Sequence, residues 1–108
     1  MDKLNKYRRI ISKILEEQAS YKASTGKIDE YAICDKKTDN YILFNVGWHN
    51  SGRRQFGYPI HIRIKDGKVL VEWDGTNQSI VEQLIDAGID ENDIVWNFEK
   101  PWNILKAA

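Results

Sequence analysis

The residues best suited to chemistry lie in one stretch past the middle of the chain, where His61 and Arg63 precede Glu72 and Asp74 on what read as two neighbouring strands. A carboxylate that orients an imidazole is half of an acid–base arrangement, and Glu72 opposite His61 would supply it. No nucleophile is placed beside that pair. A cross-strand ion pair that keeps one sheet face soluble accounts for the same residue types. Arg53 and Arg54 follow Gly52 in a hairpin loop, where two guanidiniums could grip a phosphate or a partner's carboxylate by bidentate bonds. A solvated loop whose charges blunt the hairpin is the competing reading, and Lys36-Lys37 in an earlier turn fits it. Asp74-Gly75-Thr76 has a composition that resembles the catalytic triplet of aspartic proteases, but the residue order is wrong. A strand-to-helix turn ending in a cap needs these residue types anyway.

Metals and cofactors find little purchase. The single cysteine, Cys34, and the two histidines, His49 and His61, show no zinc-ligand spacing, and one cysteine closes no internal disulfide. Neither a phosphate-cradling glycine loop nor a nucleophile elbow is present. No cofactor, no metal and no catalytic residue is therefore expected. Sixteen basic residues balance 16 acidic ones, for a net charge of zero. Strong stand-alone DNA binding usually needs a surplus of positive charge, so it is disfavoured. The sequence shows no apolar leader and no run near the ~20 apolar residues of a membrane span, so the cytoplasm is the expected location.

At 108 residues, one domain over residues 1–108 is the economical reading. Leu4, Tyr7, Ile10, Ile11, Ile14 and Leu15 recur at helical spacing, with Asp2 as N-cap and Thr25-Gly26 as the stop. The period then becomes two. Strands are predicted over Ile28–Asp35, Tyr41–Trp48, Phe56–Lys65 and Lys68–Asp74, the last two joined by a type I′ turn at Asp66-Gly67. That turn predicts the pairs Lys65–Lys68, Ile64–Val69, Arg63–Leu70, Ile62–Val71, His61–Glu72 and Ile60–Trp73. With Trp48 set opposite Phe56, Leu43 falls beside His61. The core face would then hold Ile42, Phe44, Val46, Trp48, Phe56, Tyr58, the isoleucines and Trp73. A second helix is predicted over Ser79–Ala87, capped by Ser79 (or by Thr76 or Asn77) and stopped at Gly88. A short helical start follows at Asp90–Asp93, and Ile94–Phe98 is either extended or helical. Trp96 and Trp102 are expected to anchor the tail, with contact to a partner as the alternative. The fold class is α+β: an N-terminal helix, a four-stranded antiparallel meander, then a second helix and a short C-terminal segment.

Several stretches together carry a family resemblance. They are Met1-Asp2-Lys3-Leu4 through Tyr7-Arg8, Tyr41…Asn45-Val46-Gly47-Trp48, the Arg53-Arg54 loop, and Gly57…Ile60-His61-Ile62-Arg63-Ile64-Lys65-Asp66-Gly67-Lys68. Asp74-Gly75-Thr76 and Leu84…Ala87-Gly88-Ile89…Asp93-Ile94-Val95 complete the set. The chain resembles the XisI family, the fdxN-element excision controlling factors, in order and over nearly its whole length. Pro59 departs from the pattern, which has a small residue or cysteine there, and the tail from Trp96 also departs. The resemblance implies a role in controlling a site-specific recombination that excises a DNA element, together with a companion, XisH, that resembles endonuclease-fold proteins. It carries no catalytic residue across.

The functional expectation is a non-catalytic regulatory protein that binds an XisH-type companion or a recombinase. Candidate contacts to a partner or an anion are Arg53, Arg54, His61, Arg63 and Glu72. The alternatives are direct DNA binding through Arg53 and Arg54, or a small enzyme using His61 and Glu72. Edge strands and an apolar-speckled second face also make a homo-oligomer an expectation.

Overall fold

The computed structural model describes residues 2–19, 27–76 and 79–96. Helix α1 spans Lys3–Ala19, and four antiparallel strands follow: β1 Lys27–Asp35, β2 Asn40–Trp48, β3 Arg54–Lys65 and β4 Lys68–Asp74. Helix α2 is Ile80–Asp86, a 3-10 turn covers Glu91–Asp93, and β5 is the two-residue strand Ile94–Val95. The sheet order is β1-β2-β3-β4-β5, with β5 parallel to β4 through Val69–Ile94 and Leu70–Val95. The expected four-stranded antiparallel meander is thus four strands of a five-stranded mixed sheet. A parallel partner separated by a helix leaves no turn signal in the sequence.

Local chemistry explains the element ends. Asp2 accepts the backbone N–H of Leu4 at 2.9 Å and starts α1. Ser79 accepts the N–H of Glu82 at 3.3 Å, so Ser79 rather than Thr76 caps α2. Asp90 accepts the N–H of Asn92 and starts the 3-10 turn. Asp66 and Gly67 both take positive φ, 53° and 78°, as a type I′ turn requires. Thr25-Gly26, Asn77 and Trp102 lie outside the described residues.

Both helices lie on one face of the sheet. The α1 stripe Tyr7, Ile11 and Leu15 packs with Tyr41, Leu43, Ile60, Ile62, Ile64, Val69 and Val71, and with Ile80 and Leu84 of α2. The isoleucine row of β3 is therefore core, as alternation predicts. The β2 assignment is corrected: Tyr41 and Leu43 are buried, while Ile42, Phe44 and Val46 take the other face. Leu43 consequently lies opposite Ile60, and Ile42 lies opposite His61.

Candidate functional site

Two irregularities in the ladder build the surface opposite the helices. In β3, Ile60 pairs with Leu43 but Gly57 pairs with Asn45, so three steps on β3 match two on β2. The extra residue falls at Tyr58-Pro59. Proline has no N–H to give to a ladder and is tolerated at such a bulge. In β4, Val71 pairs with Ile62 but Trp73 pairs with His61, which puts a second extra residue at Glu72-Trp73. Because side chains alternate faces with period two, each bulge transfers every residue beyond it to the opposite side. Phe56 and Trp73 thereby leave the isoleucine face.

The expected core placement of Trp48, Phe56, Tyr58 and Trp73 is accordingly overturned. Phe56 is 69% exposed, Trp73 56%, Tyr58 55% and Trp48 53%. Phe56 lies opposite Val46 rather than Trp48, and Trp48 lies opposite Arg54. Ile60 faces Asp74 instead of Trp73. Phe44 meets Phe56 edge to face, with centroids 5.1 Å apart. Tyr31 and Ile33 of β1, opposite Phe44 and Ile42, extend the same surface to the sheet edge and are themselves exposed. The face of the sheet opposite the helices is therefore rich in exposed aromatic and aliphatic side chains. Trp96 is also exposed, which fits the expected alternative, contact with a partner, better than anchoring of the tail.

The polar candidates are distributed over this face. His61 does not meet Glu72; its Nε2 lies 2.9 Å from Asn40 Oδ1, and its cross-strand neighbour is Trp73. Burial pulls the imidazole below its ordinary value, Glu72 pulls it up, and Arg63 adds to the lowering. Glu72 instead accepts from Arg63 Nε at 2.9 Å, a partly exposed pair. The bulge at Glu72 breaks the expected His61–Glu72 dyad by moving Trp73 into its place. Arg54 stacks on Trp48, 5.0 Å from the ring centroid, and donates to the carbonyl oxygen of Gly47 at 3.1 Å. Arg53 Nη2 lies 3.3 Å from Nε2 of His49, which is 2.9 Å from Gln55 Oε1. Seven residues of extended chain, about 20 Å, separate the Arg53-Arg54 hairpin from His61 and Arg63. These residues form two polar ends of one apolar face and do not share a pocket. Asp74 caps the strand-to-helix turn, accepting from the N–H groups of Thr76 and Ile80 at 3.0 Å each.

Two carboxylates that the sequence did not single out tie the helix layer to the sheet. Asp39, at positive φ of 55°, accepts both Arg8 Nε at 2.8 Å and Arg8 Nη2 at 3.0 Å, and Tyr41 donates its hydroxyl to it at 2.8 Å. Those bonds hold its carboxyl below the ordinary range, with Arg8 the largest cause. Asp93 accepts from the Tyr7 hydroxyl at 2.7 Å, from Lys3 at 3.0 Å and from Lys68 at 3.3 Å. Its carboxyl is held down to about 2 by the Tyr7 hydrogen bond and then by Lys3. Contacts between residues 86 positions apart leave no periodic trace in a sequence. Among the described residues no group of His, Cys, Asp and Glu side chains could hold a metal ion. Among them, too, no helix is long and apolar enough to cross a membrane.

Compared with known protein families, residues 1–104 match the model described as XisI protein. The chain belongs to the XisI family. Its fold is similar to that of a XisI-like protein from Anabaena variabilis ATCC 29413, at 32% identity and a TM-score of 0.81, over 94% of this chain and 92% of that one. It is also similar to the fdxN element excision controlling factor XisI of the same organism, at 30% identity and a TM-score of 0.73, over 94% of this chain and 98% of that one. No curated protein matches the chain.

Proposed function

We propose that this XisI-family protein is a non-catalytic accessory factor in the control of DNA-element excision, and that it acts by binding a protein companion through the aromatic face of its sheet. The observation that carries the reading is the face itself. Trp48, Phe56 and Trp73 are each more than half exposed, on the side of the sheet away from both helices. Exposed apolar surface of this extent, rimmed by charges, marks a contact with another protein. Arg54 over the Trp48 ring at one end, and Arg63 paired with Glu72 at the other, form a polar rim that would set orientation. The relative named as an excision controlling factor supports the regulatory setting. The XisH-type, nuclease-like companion that the family likeness implies is the first partner to try.

Co-expression with that companion, followed by pull-down at mild salt, tests the reading. The wild-type pair should co-purify, and Phe56→Ser with Trp73→Ser should abolish co-purification while circular dichroism stays native. A wild-type protein that fails to retain the companion would count decisively against it. Direct DNA binding through Arg53 and Arg54 predicts a different outcome: affinity for duplex DNA that falls steeply with salt and is lost in Arg53→Ala/Arg54→Ala.

A further inference from the structure

We infer that β1 is a self-association edge, and that two copies of this chain join antiparallel, β1 to β1, about a two-fold axis through Tyr31 to make one continuous ten-stranded sheet. The inference goes beyond the companion-binding reading and does not depend on it, because it uses the edge of the sheet rather than its face.

Three observations carry it. First, the edge is long and regular. All nine residues of β1 pair with β2 in an unbroken register from Lys27–Trp48 to Asp35–Asn40, and β2 is its only neighbour among the described strands. Pairing on one side uses alternate backbone groups and leaves roughly half of the N–H and C=O groups pointing outward. Edge strands that stay unpaired are usually short, bulged, interrupted by proline or charged. β1 is neither short, bulged nor broken by proline, and its charges, Lys27, Asp29, Glu30 and Asp35, are what a self-pairing register has to accommodate.

Second, the residues are complementary to themselves in one register. A two-fold axis normal to the sheet keeps both helix layers on the same side and must pass through a residue. Centring on Tyr31, the midpoint of β1, pairs all nine positions. Lys27 then faces Asp35 of the second copy, twice, and Ile28 faces Cys34. Glu30 faces Ala32 and Asp29 faces Ile33, pairs that add no attraction, and Tyr31 faces its own equivalent. Opposite charges and aromatic pairs directly across an antiparallel ladder are favourable.

Third, the neighbouring registers are penalised. Centring on Asp29 or on Glu30 sets a carboxylate against its own copy. The Glu30 case is the worse, because burial already raises the pKa of that half-buried side chain. Centring on Ala32 sets Asp29 against Asp35. Centring on Ile33 sets no like charges together but pairs only five positions, so charge and length of overlap together select the full-length register. In the joined sheet, Tyr31 and Ile33 of both copies would merge the two apolar faces into one surface across the axis.

The test is register-specific cross-linking together with solution mass. Sedimentation of the wild-type protein should show twice the 12.6 kDa chain mass. In a Cys34→Ser background, Tyr31→Cys should form a disulfide-linked dimer under mild oxidation, and Asp29→Cys should not, since only position 31 meets itself across the axis. Lys27→Glu reverses both end pairs and should weaken the dimer about tenfold. Because Lys27 is exposed and outside the core, native circular dichroism of that variant separates lost association from lost folding. A monomer at every concentration overturns the inference. So does a dimer that survives Lys27→Glu undiminished and is instead dissolved by Phe56→Ser/Trp73→Ser, because that result places the contact on the face.

Discussion

Asp93 shows how one side chain sets the acid limit of the fold. Its carboxyl titrates ordinarily near 3.8 and is held down to about 2 in the folded chain, chiefly by the Tyr7 hydroxyl and then by Lys3. A depressed acid stabilises the fold at pH values above the ordinary value, and that stability is lost as pH falls through the folded value. Acid unfolding followed by circular dichroism should therefore steepen between pH 3.8 and about 2. Asp93→Asn should flatten that limb while lowering the melting temperature at neutral pH, because Lys3 and Lys68 lose their shared counter-charge. His61 works in a higher range. Its folded value lies below the ordinary 6.5, so the unfolded chain takes up the proton first and stability drops as pH falls below 6.5. Replacing His61 with glutamine, which keeps a donor towards Asn40, should remove that drop from urea midpoints measured on either side of 6.5. The third test at this scale is Tyr41→Phe. It deletes one of the three hydrogen bonds to Asp39 and should cost about 1 kcal/mol of unfolding free energy, with Arg8 still in place.

At the scale of elements, the two bulges decide which residues face the core, and they mark the boundary of what the sequence alone reveals. The Asp66-Gly67 turn and the pairs Lys65–Lys68, Ile64–Val69, Arg63–Leu70 and Ile62–Val71 follow from alternation and a recognisable turn, and the structure holds them all. One step farther the agreement ends, because Trp73 replaces Glu72 opposite His61. An inserted residue leaves the apolar/polar alternation of its own strand intact, so the pattern reads through it while the faces exchange. Pro59 is the one local sign of the first bulge, and nothing comparable marks the second. β5 enters the sequence reading only as the extended alternative for Ile94–Phe98, because two residues make no period, and Asp39 and Asp93 escaped because their partners are distant in sequence. The candidate site was thus legible in residue type but not in arrangement. The ladder also has a point of close approach that can be tested. Gly47, at φ 154°, would place a Cβ 2.0 Å from the carbonyl oxygen of Lys27. Gly47→Ala forces β1 and β2 apart and should cost about 3 kcal/mol in thermal or urea unfolding. On the next strand, Gly57→Ala meets Asn45 Oδ1 only at 3.8 Å and should stay within about 0.5 kcal/mol of wild type.

At the scale of the whole molecule, the fold has two unlike sides. Both helices and the entire buried cluster lie on one side of the sheet, and Tyr31, Ile33, Trp48, Phe56 and Trp73 lie exposed on the other. Such a surface contributes little to the stability of the isolated chain, since its rings remain more than half in water. Covering one ring's exposed half would be worth about 1 kcal/mol, so several covered together supply a useful share of a binding free energy. Fluorescence separates the two states. With Trp96 and Trp102 replaced by phenylalanine, the remaining emission comes from Trp48 and Trp73 alone. In the free protein it should be red-shifted and strongly quenched by acrylamide, as exposure above one half requires. Adding the nuclease-like companion should shift the emission to the blue and protect it from the quencher, and Phe56→Ser should weaken that response without changing the unfolding free energy by more than about 1 kcal/mol. Protection that appears with duplex DNA instead, and vanishes with added salt, would move the function from protein contact to phosphate contact. A quencher response unchanged by either ligand would leave the aromatic side without a role in binding them, and the proposed function would fall with it.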